Sequence, residues 1–181
     1  MKNQRNQQCL ALLLCAASLA ACGSKQGETD EQASQPFVEY TAAQGDDIHR
    51  HAEVNMNGSV RVGGHTYDYS INGVPCDSLP VVTDDEGTRY ADNLFQLIIK
   101  RDGEAFVNRT ITKASLSHKL TSEFRQNGIL DGIIYDDRQS GLRFRVSVSF
   151  PESDVHTPLL IQVGSDGSLV YERDIQAEQD E

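Results

Sequence analysis

Nine residues in the last third of the chain alternate strictly between apolar and polar side chains. Leu142, Phe144, Val146, Val148 and Phe150 are apolar, and the residues between them are two arginines and two serines. A period of two is the repeat of a β-strand that has one buried face and one face in water. Alternation of this kind is typical of antiparallel sheets, so the segment predicts one.

Other segments supply further strands and the turns between them. The apolar run at residues 94–99 predicts a central strand, and residues 101–103 (Arg-Asp-Gly) predict the hairpin turn after it. Residues 63–64 are two glycines, which indicate either a turn between two strands or one strand bent at a bulge. The Asn-Gly pair at residues 72–73 is a turn signal. Strands joined by such turns favour an antiparallel architecture.

One segment has helical spacing instead. Leu116, Leu120 and Phe124 are four residues apart, and Gly128 stands where a helix commonly ends in a left-handed conformation. The spacing predicts a short α-helix over about residues 115–127. We therefore expect a mainly β fold, an antiparallel sheet that is curled or sandwiched, with this one helix packed against it.

The N-terminus has the layout of a bacterial lipoprotein signal peptide. Lys2 and Arg5 make the start basic, residues 9–17 are all apolar, and the run ends in Leu-Ala-Ala-Cys at Cys22. The apolar run is shorter than the about 20 residues that a membrane-spanning helix needs. The pattern predicts cleavage before Cys22 and lipidation of that cysteine. Gly23 follows in place of aspartate, which favours the outer membrane over the inner membrane.

The sequence therefore predicts four parts. Residues 1–21 are the signal peptide, and residues 22–54 are the lipidated cysteine and a flexible polar tether. Residues 55–175 are a β-rich domain, and residues 176–181 are a disordered acidic tail. The tether is predicted because residues 23–36 contain no large hydrophobic side chain, so they cannot offset their ordering entropy.

Charge and cysteine content restrict the partners and the source of stability. The chain has 16 basic and 27 acidic residues and a net charge of −11, which disfavours binding to nucleic-acid phosphates. Cys9 and Cys15 lie in the predicted signal and Cys22 is the predicted lipid site, so Cys76 has no intramolecular disulfide partner. We expect Cys76 to be a buried small hydrophobe and the fold to depend on its apolar core.

No set of residues in the sequence forms a recognisable catalytic motif, so we predict no catalytic residue, cofactor or metal. His49 and His51 would share a strand face and could hold a divalent ion with a third ligand, but two exposed histidines are the favoured interpretation. The candidate binding residues are His65, Asp68 and Asp92.

A family resemblance agrees with the predicted location. The matching motifs are His-Thr-Tyr at residues 65–67, Cys-Asp-Ser-Leu-Pro at 76–80, Tyr-Ala-Asp-Asn at 90–93 and Asp-Gly-x-x-Phe at 102–106. On these the chain resembles an uncharacterised family of small lipoproteins of Bacteroides and Prevotella, over about residues 55–175. The resemblance implies a domain of unknown function and no active site. Asp-Ser-Leu at residues 77–79 also resembles the motif at which Bacteroidetes O-glycosylate exported proteins, which makes Ser78 a candidate glycosylation site.

Three functions are compatible with the sequence. The first is a non-catalytic binding or accessory module of the cell envelope, which we expect to be a monomer that contacts an envelope protein or an extracellular ligand. The second is a hydrolase or metal-dependent enzyme, which predicts a cleft that gathers His65, Asp68 and Asp92. The third is an inhibitor or chaperone that acts through a sheet edge, and it predicts a long, uncovered edge strand with few inward charges.

Overall fold

A computed structural model of the 181-residue chain describes residues 40–42 and 47–177. The predicted signal peptide, the predicted lipid site Cys22 and most of the predicted tether lie outside this range, as do residues 178–181. Within the described range, none of the helices combines the length and the apolar character that crossing a bilayer requires.

The described residues form twelve strands and three short helical pieces. The strands are β1 (Tyr40–Ala42), β2 (Ile48–His51), β3 (Val54–Val62), β4 (His65–Pro75), β5 (Val82–Thr83), β6 (Arg89–Tyr90), β7 (Asn93–Arg101), β8 (Glu104–Ile111), β9 (Ile129–Tyr135), β10 (Arg143–Ser149), β11 (His156–Val163) and β12 (Leu169–Arg173). The helical pieces between β8 and β9 are α1 (Lys113–Leu116), a 3-10 turn (Ser117–Lys119) and α2 (Ser122–Asn127).

The strands form two antiparallel sheets of four strands and one small mixed sheet. The two larger sheets have the orders β3-β4-β7-β8 and β12-β11-β10-β9. The small sheet has the order β1-β2-β6-β5, in which β2 and β6 run parallel. The predicted fold class, mainly β with antiparallel sheets and a short helical segment, is confirmed.

The hydrophobic core brings the two larger sheets together. Ile71, Leu97 and Ile99 of the first sheet and Ile133 and Phe144 of the second are all fully buried in one cluster. The period-two pattern that defined β10 has its expected effect, because its apolar side chains are buried while its arginines are only half-buried.

The predicted helix over residues 115–127 is interrupted. Leu116 and Leu120 are buried as their spacing predicts. Leu120, however, has an extended backbone, and the Thr121 hydroxyl accepts a hydrogen bond from the Phe124 N–H to begin a second helix. The prediction of a left-handed Gly128 is wrong: its φ is −86°, because the chain passes directly into β9.

The turn predicted at residues 72–73 is also wrong, since both residues lie within the continuous strand β4. Gly73 pairs with Phe95 on β7. A Cβ atom at Gly73 would lie 2.4 Å from a ring carbon of Phe95. The glycine is needed for this close packing inside a strand rather than for a turn. The paired glycines at residues 63–64, in contrast, do form a turn, and they separate β3 from β4.

Strands occur within the range that the sequence assigned to the tether. β1 and β2 precede residue 55, and β2 joins the small sheet through pairing with β6 and through a hydrogen bond from the Ala91 N–H to the His49 carbonyl at 2.9 Å. The four residues of β2 are too few to show a periodicity, so no local pattern predicts this strand.

Candidate functional site

The three candidate binding residues lie apart. His65 and Asp68 are on β4, and Asp92 precedes β7 at the far end of the same sheet, where Pro75 pairs with Asn93. Ten residues of extended strand, about 33 Å long at about 3.3 Å per residue, separate His65 from that end. The structure therefore does not gather these residues into the cleft that the hydrolase hypothesis predicts.

His65 and Asp102 form an exposed pair at one end of the sheet. The His65 Nδ1 atom lies 2.5 Å from Asp102 Oδ2, and the Thr66 N–H donates to Asp102 Oδ1 at 2.9 Å. These hydrogen bonds, first the one with His65 and then the one from Thr66, lower the pKa of the Asp102 carboxyl. Asp102 has a φ of 53° in the turn between β7 and β8. The pair thus ties this turn to the start of β4.

Asp92 is buried, and its carboxylate interacts with groups inside the protein. Its Oδ1 atom accepts hydrogen bonds from the N–H groups of Asn93 at 2.9 Å and Leu130 at 2.8 Å. Its Oδ2 atom lies 3.5 Å from Lys113 Nζ, which also donates to the Gly128 carbonyl. A buried carboxylate needs such partners to offset its lost hydration. Asp92 therefore fastens the starts of β7, α1 and β9 to one another.

His51 is a buried histidine that the sequence predicted to be exposed. The residue is 5% exposed, and its Nδ1 atom lies 3.6 Å from Asp131 Oδ1. Burial lowers the pKa of His51, although the carboxylates of Asp131 and Asp92 oppose this shift. His49 is half-buried beside the Tyr90 ring, with centroids 5.2 Å apart. The prediction of two exposed histidines is wrong, because β2 docks against the sandwich.

The positions of the side chains around His49 and His51 do not support a metal site there. Within residues 40–42 and 47–177, no three His, Cys, Asp or Glu side chains lie close enough together to hold a metal ion.

A second buried ionic cluster lies near the C-terminal end of β12. The Asp136 carboxylate is fully buried. It accepts a hydrogen bond from Arg138 Nε at 2.8 Å and forms an ion pair with Arg143, whose Nη2 atom lies 3.4 Å away. Arg138 also pairs with the buried Asp174. Burial opposes the ionisation of Asp136, but hydrogen bonds from Arg138 outweigh it and lower the pKa of this carboxyl. No sequence pattern marks this cluster, because Asp174 joins the residues at 136–143 from a distant part of the chain.

Cys76 and Ser78 are neighbours on the surface loop that follows β4. Cys76 is half-buried rather than fully buried, and its Sγ atom lies 3.2 Å from the Ser78 Oγ atom. Ser78 is exposed in a turn. The carboxylate of its neighbour Asp77 accepts a hydrogen bond from Arg50 Nε at 2.9 Å. The Ser78 side chain is therefore accessible from solvent.

One edge of the sandwich is open. β3 pairs with β4 over nine residue pairs without a register shift, and no other strand of the described residues pairs with it. The side chains of β3 that point away from the core, which we call outward, are polar and exposed. Those that point towards the core, which we call inward, are apolar or glycine and half-buried. We call the outward residues and their backbone the β3 edge; they are Asn55, Asn57, Ser59 and Arg61.

The other outer strands of the two larger sheets carry features that discourage strand addition. β8 contains Glu104 and Arg109 and has a register shift against β7. β9 contains Asp131 and has a register shift against β10. β12 is five residues long and ends in Glu172 and Arg173. Natural sheets protect their edges with short strands, bulges and charges. β3 has none of these features: its one charged residue is Arg61, and none of the inward side chains of β3 is charged.

Comparison with known protein families identifies one match. A model of a domain of unknown function, DUF4738, matches residues 34–170, which is most of the chain. The chain belongs to the DUF4738 family. Comparison with curated proteins gave no match.

The DUF4738 match includes most of the features described above. It begins before β1 and so covers both the small sheet and the β3 edge. It also covers Asp92 and Asp136, whereas Asp174 lies just beyond its end. The DUF4738 match thus spans the small sheet, the β3-β4-β7-β8 sheet and strands β9 to β11, and it ends at the start of β12.

Proposed function

We propose that this DUF4738 protein is a non-catalytic binding module of the bacterial cell envelope. In this proposal the lipid on Cys22 anchors the chain to the outer membrane, and the β3 edge binds an extended strand of a partner protein. The observation that carries the proposal is the open β3 edge: a nine-residue, regular strand with neither inward charge nor bulge. In strand addition the backbone hydrogen bonds provide affinity, and the alternating side chains provide specificity.

The ionisable residues of the domain support a binding role over a catalytic one. Asp92 and Asp136 hold secondary-structure elements together, and His65 is paired with Asp102 at a hairpin. A catalytic site would gather such groups around one accessible point. The described part of the chain instead distributes them over separate structural contacts.

The N-terminal pattern supports the proposed anchor. Lipid chains contribute about 0.8 kcal/mol for each buried methylene, so stable anchoring takes more than one chain. The diacylated cysteine of bacterial lipoproteins meets this requirement. Exposure of Ser78 supports its proposed O-glycosylation, which would place the domain among exported Bacteroidetes proteins.

Membrane fractionation tests the anchor. The wild-type chain should sediment with the membranes, and Cys22→Ala should release it, while Cys15→Ala is the matched control because it removes a cysteine from the signal only. Protease treatment of intact cells then reports whether the domain faces outward. Full membrane retention of Cys22→Ala would refute the lipid anchor.

Site-specific crosslinking tests the binding edge. A photo-crosslinking amino acid is placed at Asn57 on the β3 edge and, as a control, at the exposed Asn108 on β8. We expect a discrete crosslinked product in cells from position 57 and none from position 108. Equal products from both positions, or none from position 57, would rule out the β3 edge as the binding surface.

A further inference from the structure

We infer that the strand bound by the β3 edge is β3 of a second copy of this chain. Two domains would then join their four-stranded sheets into one continuous antiparallel sheet around a two-fold axis. This inference rests on the proposed function, since it names the partner of the same edge, and it replaces the expectation of a monomer with that of a dimer.

The turn at residues 63–64 determines which backbone groups of β3 are free. Gly63 and Gly64 have φ values of 58° and 87° between the paired residues Val62 and His65, as in a type I′ turn. The two residues that flank such a turn form a hydrogen-bonded pair. Hydrogen-bonded pairs alternate along an antiparallel ladder. Val62 and every second residue before it therefore bond to β4, and the N–H and C=O groups of the β3 edge point away from the sheet.

The sequence of β3 is complementary to itself in the antiparallel direction. When Gly58 faces Gly58 of a second copy, all nine residues pair. Asn55 then faces Arg61 and Asn57 faces Ser59, and these are the residues whose backbone groups are free. The apolar residues pair with one another, Val54 with Val62 and Met56 with Val60. No like charges face each other, so the register satisfies the cross-strand rules of antiparallel sheets.

Gly58 has a structural reason to stand at the proposed axis. A Cβ atom there would lie 2.4 Å from the Tyr69 hydroxyl oxygen, so the Tyr69 side chain lies across the position that a side chain would occupy. Two copies paired at Gly58 therefore bring their Tyr69 rings side by side on the inner face. These rings extend the apolar surface of both cores across the axis.

The charge distribution favours pairing at this strand. The whole chain has a net charge of −11, so two copies repel each other over most of their surface. β3 contains no acidic residue. A contact made by one strand from each copy buries less surface than stable interfaces usually do, so the dimer is weak in dilute solution. Two copies that are anchored in one membrane are confined to a thin layer beside it, and their raised local concentration compensates for a weak contact.

Sedimentation velocity of the chain from residue 22 to 181 with Cys22→Ala tests self-pairing in solution. This chain includes the whole compact unit Pro36–Glu181. Because small interfaces are weak, the concentrations should span about 5 µM to about 500 µM. We expect the fraction of dimer to increase over this range. Hydrogen exchange should show the amides of the β3 edge becoming protected at the higher concentrations, while those of Met56 and Val60 are protected throughout.

Charge exchange tests the register. Asn55→Lys places a lysine opposite Arg61 of the other copy, and the symmetry repeats the repulsion, so dimerisation should weaken roughly tenfold. Adding Arg61→Glu to Asn55→Lys creates opposite charges across the axis and should restore dimerisation. Both positions are exposed, so the fold should be unaffected, which thermal unfolding verifies.

Proline provides the second test of the same edge. Ser59→Pro removes an N–H that points away from β4 and should abolish the dimer while β3 stays paired with β4. Ser59→Thr retains the N–H and should dimerise as the wild type does. A chain that is monomeric at all concentrations, or a dimer that none of these variants weakens, would overturn the inference. A crosslink from position 57 to a different protein, without dimerisation, would overturn it too while leaving the proposed function intact.

Discussion

Gly73→Ala is expected to destabilise the domain although alanine is ordinarily the better residue in a strand. The new Cβ would lie 2.4 Å from Cε1 and 2.7 Å from Cζ of Phe95. Phe95 is only 2% exposed, so its ring cannot move into solvent without losing core contacts. Overpacking of this kind costs about 1–3 kcal/mol. The smaller entropy of the unfolded alanine chain returns about 0.4–1 kcal/mol. From the middle of each range, the net loss of unfolding free energy is about 1.3 kcal/mol.

Gly132→Ala is the matched control for this substitution. Gly132 is also a strand glycine, in β9, and no heavy atom lies within 4 Å of the position of its Cβ. It should be neutral or stabilise the domain by about 0.4–1 kcal/mol. Urea unfolding of both variants measures the difference directly, and the Gly73→Ala loss corresponds to a melting temperature that is lower by about 3–8 °C. If Gly73→Ala is as stable as Gly132→Ala, the close approach of Phe95 does not determine the choice of residue at position 73.

Two further predictions concern the buried carboxylates. Asp92→Ala leaves two buried N–H groups without their acceptor and Lys113 without its carboxylate partner, so we expect about 2–4 kcal/mol lower stability in urea unfolding. Asp92→Asn retains the oxygen that accepts from the two N–H groups and should lose less; equal losses would contradict the role of those two hydrogen bonds. The folded-state pKa of Asp136 is lowered, so its contribution to stability is present above its unfolded pKa and is lost as the pH falls through the folded value. In Arg138→Met the folded-state pKa of Asp136 should be raised instead, because a buried carboxyl that has lost its hydrogen-bond donor binds a proton more tightly in the folded state. The loss of stability relative to wild type should then be largest at neutral pH and should shrink as the pH falls towards about 4, which unfolding across that pH range measures.

The parts of the fold that the sequence predicted are those fixed by local patterns. The alternation from Leu142 to Phe150 located β10, and the Asp102-Gly103 pair located the turn between β7 and β8. These features depend on residues that are adjacent in the chain, so a periodicity or a turn preference was sufficient. The predicted turn at Gly73 was wrong because the choice of glycine there depends on Phe95, more than twenty residues away in the sequence.

The polar clusters could not be predicted for a similar reason. His51 contacts Asp131, and Arg138 contacts Asp174, across long stretches of chain. Neither pair has a spacing that marks it, and each residue on its own resembles an ordinary surface charge. The β3 edge was anticipated only as a class of feature, since a strand's position in a sheet follows from the pairing of the whole chain.

The small sheet determines how the domain responds to mechanical load. The backbone of β2 pairs with β6 over only two parallel residue pairs and accepts one hydrogen bond from Ala91, whereas β3 and β4 share nine antiparallel pairs. A chain that is pulled from its N-terminal side, as membrane attachment at Cys22 would do, loads β2 before it loads the sandwich. β1 and β2 would therefore detach first and lengthen the connection to the membrane, while the two larger sheets stay folded.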